Sequence, residues 1–135
     1  MTKSRETFSK VLLYESGEYL LMNPRYLESV ITGRKSSTIR DGVLVFPDNC
    51  ELLLRFSRSA PPVKVRVTES RVKRFKDLSQ KEIEADGFGT RDELLAELRQ
   101  YYPLIMEESV ITVVNFRTIP PKDPEQRRRR TVGKK

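Results

Sequence analysis

The stretch "PPVKVRVTESRVKRF", residues 61 to 75, constrains the fold most. Val63, Val65 and Val67 alternate with Lys64, Arg66 and Thr68, the period of two that sets one face of a strand on a core and the other in water. The alternation loses phase around Ser70, where Val72 falls on the cationic side, and this predicts a bulge or bend.

The other segments fit around that half-buried strand. "KVLLYESGEYLLM" reads as two short strands about the turn residues Ser16 and Gly17. Asn23 is a good N-cap, Pro24 suits a first helical position, and Tyr26, Leu27, Val30 and Ile31 recur at helical spacing. With Gly33 fitting the left-handed position just past the end, a helix is predicted over 24–32. "SSTIR" then extends, with Ser36, Thr38 and Arg40 on one face and Ile39 on the other. "GVLVF" and "ELLLRF" are further strands. A short helix is expected from Ser79 to Ala85, and "DGFG" links it to a longer one. There "TRDE" has the capping-box form, and Leu94, Leu95, Leu98 and Tyr102 supply the apolar stripe. "SVITVVNF" is apolar on both faces, as a central strand is. Strands and helices mix without regular alternation, so the expected class is α+β, a mostly antiparallel curved sheet or small barrel with two to three flanking helices.

At 135 residues the chain is sized for one domain. The expected division is a folded domain over 1–117 and a disordered basic tail over 118–135, where three prolines and Arg127, Arg128, Arg129 and Arg130 dominate. The net charge of +7 invites a nucleic-acid reading, and its distribution matters more than its sum. Residues 55 to 76 carry eight cations and one anion, whereas residues 77 to 109 carry three cations and nine anions. The apolar runs are too short to span a bilayer and the N-terminus lacks a signal-like apolar segment, so a cytoplasmic protein is expected. Cys50 is the sole cysteine and there is no histidine, which excludes finger-type zinc sites and imidazole-based triads. No cofactor or metal is expected, and "DGFG" is not a phosphate loop.

"TGRKSSTIRDG", residues 32 to 42, concentrates the chemistry. Arg34 and Lys35 follow the helix end, while Thr38 and Arg40 share a strand face. Two readings stand for Lys35: a cation compensating the helix dipole, or a pocket residue that serves as a base toward Thr38. Asp86 is either a plain turn aspartate or the acid opposite them.

"GRKSSTIRDG", followed about 45 residues later by "LSQKEIEADGFGTRDELLAELRQYYP" and then by "SVITVVNF", resembles the ASCH domain, the activating-signal-cointegrator homology domain related to the PUA fold. The resemblance spans roughly residues 18 to 117 and includes a Gly-x-Lys-x-x-Thr-x-Arg element at Gly33, Lys35, Thr38 and Arg40. It implies a small PUA-like β-barrel with a cleft in which that element faces Asp86, and RNA or a nucleotide as partner. A small bacterial branch is similar to N4-acetylcytidine amidohydrolases, which use a Lys, a Thr and a Glu. Mapped here, these fall on Lys35, Thr38 and Asp86, with Glu84 competing for the third place.

Two main functions are therefore expected. One is RNA or nucleotide binding through Arg34, Lys35, Thr38 and Arg40, with Lys64, Arg66, Arg71, Lys73, Arg74 and the tail arginines on the backbone. The other is hydrolysis of a small amide on a modified nucleoside, with Lys35 as base, Thr38 as nucleophile and Asp86 as acid. A metal-independent ribonuclease is a third reading. An interaction surface on the acidic helical segment, through Glu93 and Glu97, is a fourth.

Overall fold

A computed structural model of the chain describes residues 11–120; the tail arginines 127–130 lie outside the described residues. In chain order the elements are β1 (Val11–Leu13), β2 (Tyr19–Leu21), a 3-10 turn (Pro24–Tyr26), α1 (Leu27–Ile31), β3 (Ser37–Asp41), β4 (Val43–Val45), β5 (Glu51–Arg55), β6 (Val63–Arg74), a second 3-10 turn (Phe75–Asp77), α2 (Gln80–Ala85), α3 (Arg91–Arg99) and β7 (Val110–Thr118). The class is α+β. Five strands form one sheet in the order β2-β5-β6-β7-β3, and β1 pairs with β4 in a small second sheet.

The strand with period-two alternation is the backbone of the sheet. β6 pairs antiparallel with β5 on one side and β7 on the other, and the β6–β7 register slips between Val67 and Glu69. This bulge is the loss of phase visible near Ser70. Before it, Val65 and Val67 share a face with Phe116; after it, Arg71 and Lys73 stand opposite Val113 and Ile111 on the other face. β7 sits between β6 and β3, and its residues Ile111 to Val114 are all buried.

Two cores lie on the two faces of β7. Ile111 and Val113 pack with Ile39, Phe75, Ile83, Leu94 and Leu98 beneath the helices. Phe116 packs with Val65, Leu52, Leu54, Leu20 and Val30 on the opposite face. Helix capping follows the sequence closely. Asn23 accepts from Arg25 N–H, and Thr90 accepts from Glu93 N–H. The reciprocal capping box, however, forms at Ser79 and Glu82, because the Glu93 carboxylate turns to Gly89 N–H instead of its own N-cap.

β1 and β2 do not pair with each other across Ser16 and Gly17. β1 runs parallel to β4 and β2 parallel to β5. The five-stranded sheet is not closed into a barrel by backbone pairing, and its two edges are β2 and β3. The Arg40 guanidinium spans that opening, donating from β3 to the Leu21 carbonyl of β2 at 2.9 Å.

Candidate functional site

Lys35 is delivered to its position by local chain geometry. Gly33 takes φ +84 after α1, a conformation that disfavours a side chain, and the chain then turns so that Lys35 N–H donates to Ser29 O at 2.9 Å. Ser36 is pinned on both sides, donating to Ala85 O at 3.3 Å and accepting from Phe116 N–H at 3.0 Å. The Lys35 side chain therefore turns inward. It does not compensate the α1 dipole.

Its ammonium meets Asp86. Lys35 Nζ donates to Asp86 Oδ1 and to the Asp86 carbonyl, both at 2.6 Å, and lies 4.9 Å from the centre of the Tyr26 ring. Two acceptors and one π face thus surround the cation. Asp86 caps the C-terminal end of α2, the negative end of that helix, and Gly87 at φ +100 lets the chain leave. The side chains of the pair are 4% and 5% exposed. Burial pushes the Asp86 carboxyl up to about 6, against the lowering effect of Lys35's charge and hydrogen bond.

Thr38 and Arg40 project from the same face of β3. Arg40 Nε donates to Thr38 Oγ1 at 2.9 Å, so one lone pair of the hydroxyl is already engaged. Thr38 itself is buried.

Glu97 completes the site, and it is the residue that sequence reasoning treats as part of an acidic surface. It is 8% exposed. Its carboxylate accepts from Tyr26 Oη at 2.7 Å and Tyr101 Oη at 3.2 Å, and pairs with Arg25. Burial alone would raise its carboxyl, but hydrogen bonds from Tyr26 and Arg25 hold it below the ordinary value. Burial, with the Glu97 hydrogen bond adding to it, pushes the Tyr26 phenol up to about 12. A signal was present in the sequence: Glu97 lies three residues after Leu94 and four before Tyr101, on the same helical stripe.

These groups line one cavity of about 470 Å³, within the range of small-ligand sites. Lys35, Thr38, Arg40 and Asp86 bring the polar groups; Tyr26, Phe88, Tyr101 and Tyr102 bring aromatic wall. Glu84 does not line it. Its carboxylate is exposed and receives Gln80 Nε2 at 3.0 Å. Arg34 is also exposed and outside the lining.

The basic strand is organised differently. Its cations share carboxylates in pairs: Lys64 and Arg66 with Glu51, Arg71 and Lys73 with Glu82, Arg74 and Lys76 with Glu108. The charge run is thus partly neutralised within the fold, and none of these cations lines the cleft. Among the described residues, no helix is long and apolar enough to cross a membrane.

No protein-family model matches the chain, and no curated protein does. Solved structures do. A protein of the DUF984 family from Enterococcus faecalis V583 is 15% identical, with 78% of this chain and 81% of that one covered at a TM-score of 0.60. An ASCH domain from Lactobacillus crispatus JV V101 is 11% identical over 87% of this chain and 85% of that one, also at 0.60. A mutant of the ZmASCH protein from Zymomonas mobilis is 12% identical over 83% and 78%, at 0.58.

Proposed function

We propose that this chain, which has the fold of the ASCH domain proteins, binds a nucleobase of RNA or of a nucleotide in the cleft between the two sheet edges and α3. The observation that carries this reading is the composition of the cleft wall. Phe88 and Tyr102 supply aromatic wall to a planar base, with Tyr26 against the Lys35 ammonium, while Lys35, Thr38, Arg40 and Asp86 offer both donors and acceptors to its edge. Aromatic faces with a few convergent polar groups match an unstacked base better than a continuous duplex, whose bases are inaccessible. Titration with cytidine, uridine, adenosine and guanosine, followed by NMR, tests it. Saturable shifts at Thr38, Phe88 and Tyr102 are expected; no shift with millimolar nucleoside or a short RNA overturns the reading.

A second reading, hydrolysis of an acyl amide on the base, is favoured by the Lys35–Asp86 geometry. Transfer of one proton across their 2.6 Å contact gives a neutral amine and a carboxylic acid together. The Lys35 amine then takes the Thr38 proton, and the Arg40 Nε–H on Thr38 Oγ1 stabilises the developing alkoxide. Attack on the acyl carbon forms an ester with Thr38, the Asp86 proton leaves with the amine, and water releases the acid. Incubation with N4-acetylcytidine tests this, with cytidine and acetate as products. Turnover that Lys35→Ala abolishes supports hydrolysis, and no turnover rejects it.

A further inference from the structure

The bulge in β6 has placed two cations beside a helix, at a second cavity of about 700 Å³ distinct from the cleft. We propose that this groove between β6, β7 and α2 takes a phosphate group of the ligand whose base enters the cleft. The inference rests on the nucleobase reading and names what that ligand carries.

The groove is lined by Arg71, Lys73 and Lys81, with Ser36, Thr68 and Asn115 as neutral polar groups. Two carboxylates also line it, and they differ. Glu82 is held by Arg71 Nε at 2.8 Å, Lys73 Nζ at 2.9 Å and Ser79 N–H at 2.8 Å, so it fixes the two cations in place. Burial raises its carboxyl, but the Ser79, Lys73 and Arg71 contacts overcome that and bring it down to about 2. Glu69 is exposed and touches only Arg71, at 3.0 Å, among the ion pairs of the described residues. A phosphate oxygen replaces that single contact without dismantling the Glu82 lattice. Lys81 makes no ion pair among the described residues and is exposed at the rim. Arg71 is oriented further by donating to Asn115 Oδ1 at 2.7 Å.

The groove and the cleft share a wall. Ser36 and Ala85 line the groove, their chain neighbours Lys35 and Asp86 line the cleft, and the Ser36 N–H to Ala85 O hydrogen bond joins the two segments. A ligand crossing that wall presents a base on one side and a phosphate on the other. Arg71 and Lys73 thereby become part of one extended site, although the sequence separates them from Lys35 by more than thirty residues.

The test compares cytidine, cytidine 5′-monophosphate and a pentanucleotide RNA on the full chain, with inorganic phosphate against chloride at equal ionic strength as the direct probe. Phosphate is expected to shift the NMR signals of Lys73, Lys81 and Asn115 beyond the effect of chloride. Lys81→Ala is expected to weaken the phosphorylated ligand about fivefold and to flatten the log-log salt slope by about 0.7, with cytidine unaffected. Glu69→Gln strengthens binding, whereas Glu84→Gln, with the same charge change outside the groove, does not. A gain already present in the monophosphate assigns a terminal phosphate, and a gain confined to the pentanucleotide assigns a strand phosphodiester. Cytidine binding with no phosphate-specific shift and an indifferent Lys81→Ala overturns the groove and spares the cleft. Phosphate shifts with silent cytidine retain the groove and reject the cleft.

Discussion

Lys35 Nζ lies 2.6 Å from Asp86 Oδ1, and both side chains are almost wholly withdrawn from water. A buried pair of this kind is not a stabilising device in itself, since desolvation offsets the attraction, but removing one member leaves the other stranded. The two single variants therefore differ. Asp86→Asn replaces the carboxyl by a neutral group, as protonation does, so its cost is smaller at pH 8, where the wild-type carboxyl is ionised, than at pH 5. Lys35→Met strands a carboxyl that already sits near 6 and can take up a proton, so its cost is smaller at pH 5 than at pH 8. Urea unfolding of both variants at the two pH values checks this; equal costs at both pH values would refute it.

The pH dependence of the wild-type protein carries the opposite sign from an ordinary paired carboxylate. The folded Asp86 value of about 6 exceeds the unfolded value of 3.8, so the folded state binds more protons between them. Stability from this group is complete below about 3.8 and is lost as pH rises through about 6. Glu82 works the other way, its contribution present above 4.5 and lost as pH falls through about 2. Between pH 4 and 7 the stability of wild type relative to Asp86→Asn is expected to decline. Denaturant midpoints across that range measure it, and a relative gain with rising pH contradicts the Asp86 assignment.

Arg40 acts across the open seam of the sheet. Its two hydrogen bonds, to Thr38 Oγ1 and Leu21 O, come from different nitrogens of a rigid fork. Arg40→Lys keeps the charge but cannot reproduce both, and a loss of about 1–2 kcal/mol is expected. Hydrogen exchange at Leu21 and Met22 should accelerate in the variant because the β2 edge loses its link to β3. Unchanged protection there would mean that the bridge does not hold the seam.

The sequence shows local structure better than pairing. The period-two run in β6, its phase slip, and the caps at Asn23 and Thr90 are consequences of nearest neighbours, and each is readable from spacing. Partnering is not. β1 and β2 look like a hairpin because Ser16 and Gly17 separate two apolar triplets, yet β2 finds Leu53 to Arg55 across more than thirty residues. Spacing within the segment does not encode that partner, which lies far along the chain. The cleft shows the same division. Lys35, Thr38 and Arg40 are close in sequence, whereas Glu97 enters through a helix whose other acidic residues, Asp92 and Glu93, are exposed. Its carboxylate is satisfied because Arg25 and Tyr26 arrive from another segment to join Tyr101 of its own.

Glu97 supports a prediction that separates hydrogen bonding from burial. Glu97→Gln removes the charge that receives Tyr26, Tyr101 and Arg25, and charge-assisted bonds of this type are worth about 1.5–3 kcal/mol. The Tyr26 phenol is expected to titrate below its present value of about 12 but still above 10, because burial is its larger cause and persists. Ultraviolet titration of the tyrosinate band, compared with Tyr26→Phe to assign the signal, reads this out. A Tyr26 transition unmoved by the substitution would mean that Glu97 does not set its environment.

Thr38 distinguishes the two readings of the cleft most sharply, because binding and hydrolysis ask different things of its hydroxyl. As a ligand contact it contributes one hydrogen bond, so Thr38→Ala should weaken nucleoside binding only a fewfold. As a nucleophile it supplies the oxygen that forms the ester, so Thr38→Ala should abolish turnover of N4-acetylcytidine while Thr38→Ser retains it. Alanine also leaves Arg40 Nε without its acceptor, and a stability change shared with Arg40→Lys identifies that effect separately. The paired measurement is nucleoside affinity and turnover in the alanine and serine variants. Turnover retained in Thr38→Ala removes the threonine from any covalent step, and affinity lost in Thr38→Ser removes the hydroxyl as the contact, because serine keeps it and lacks only the methyl group.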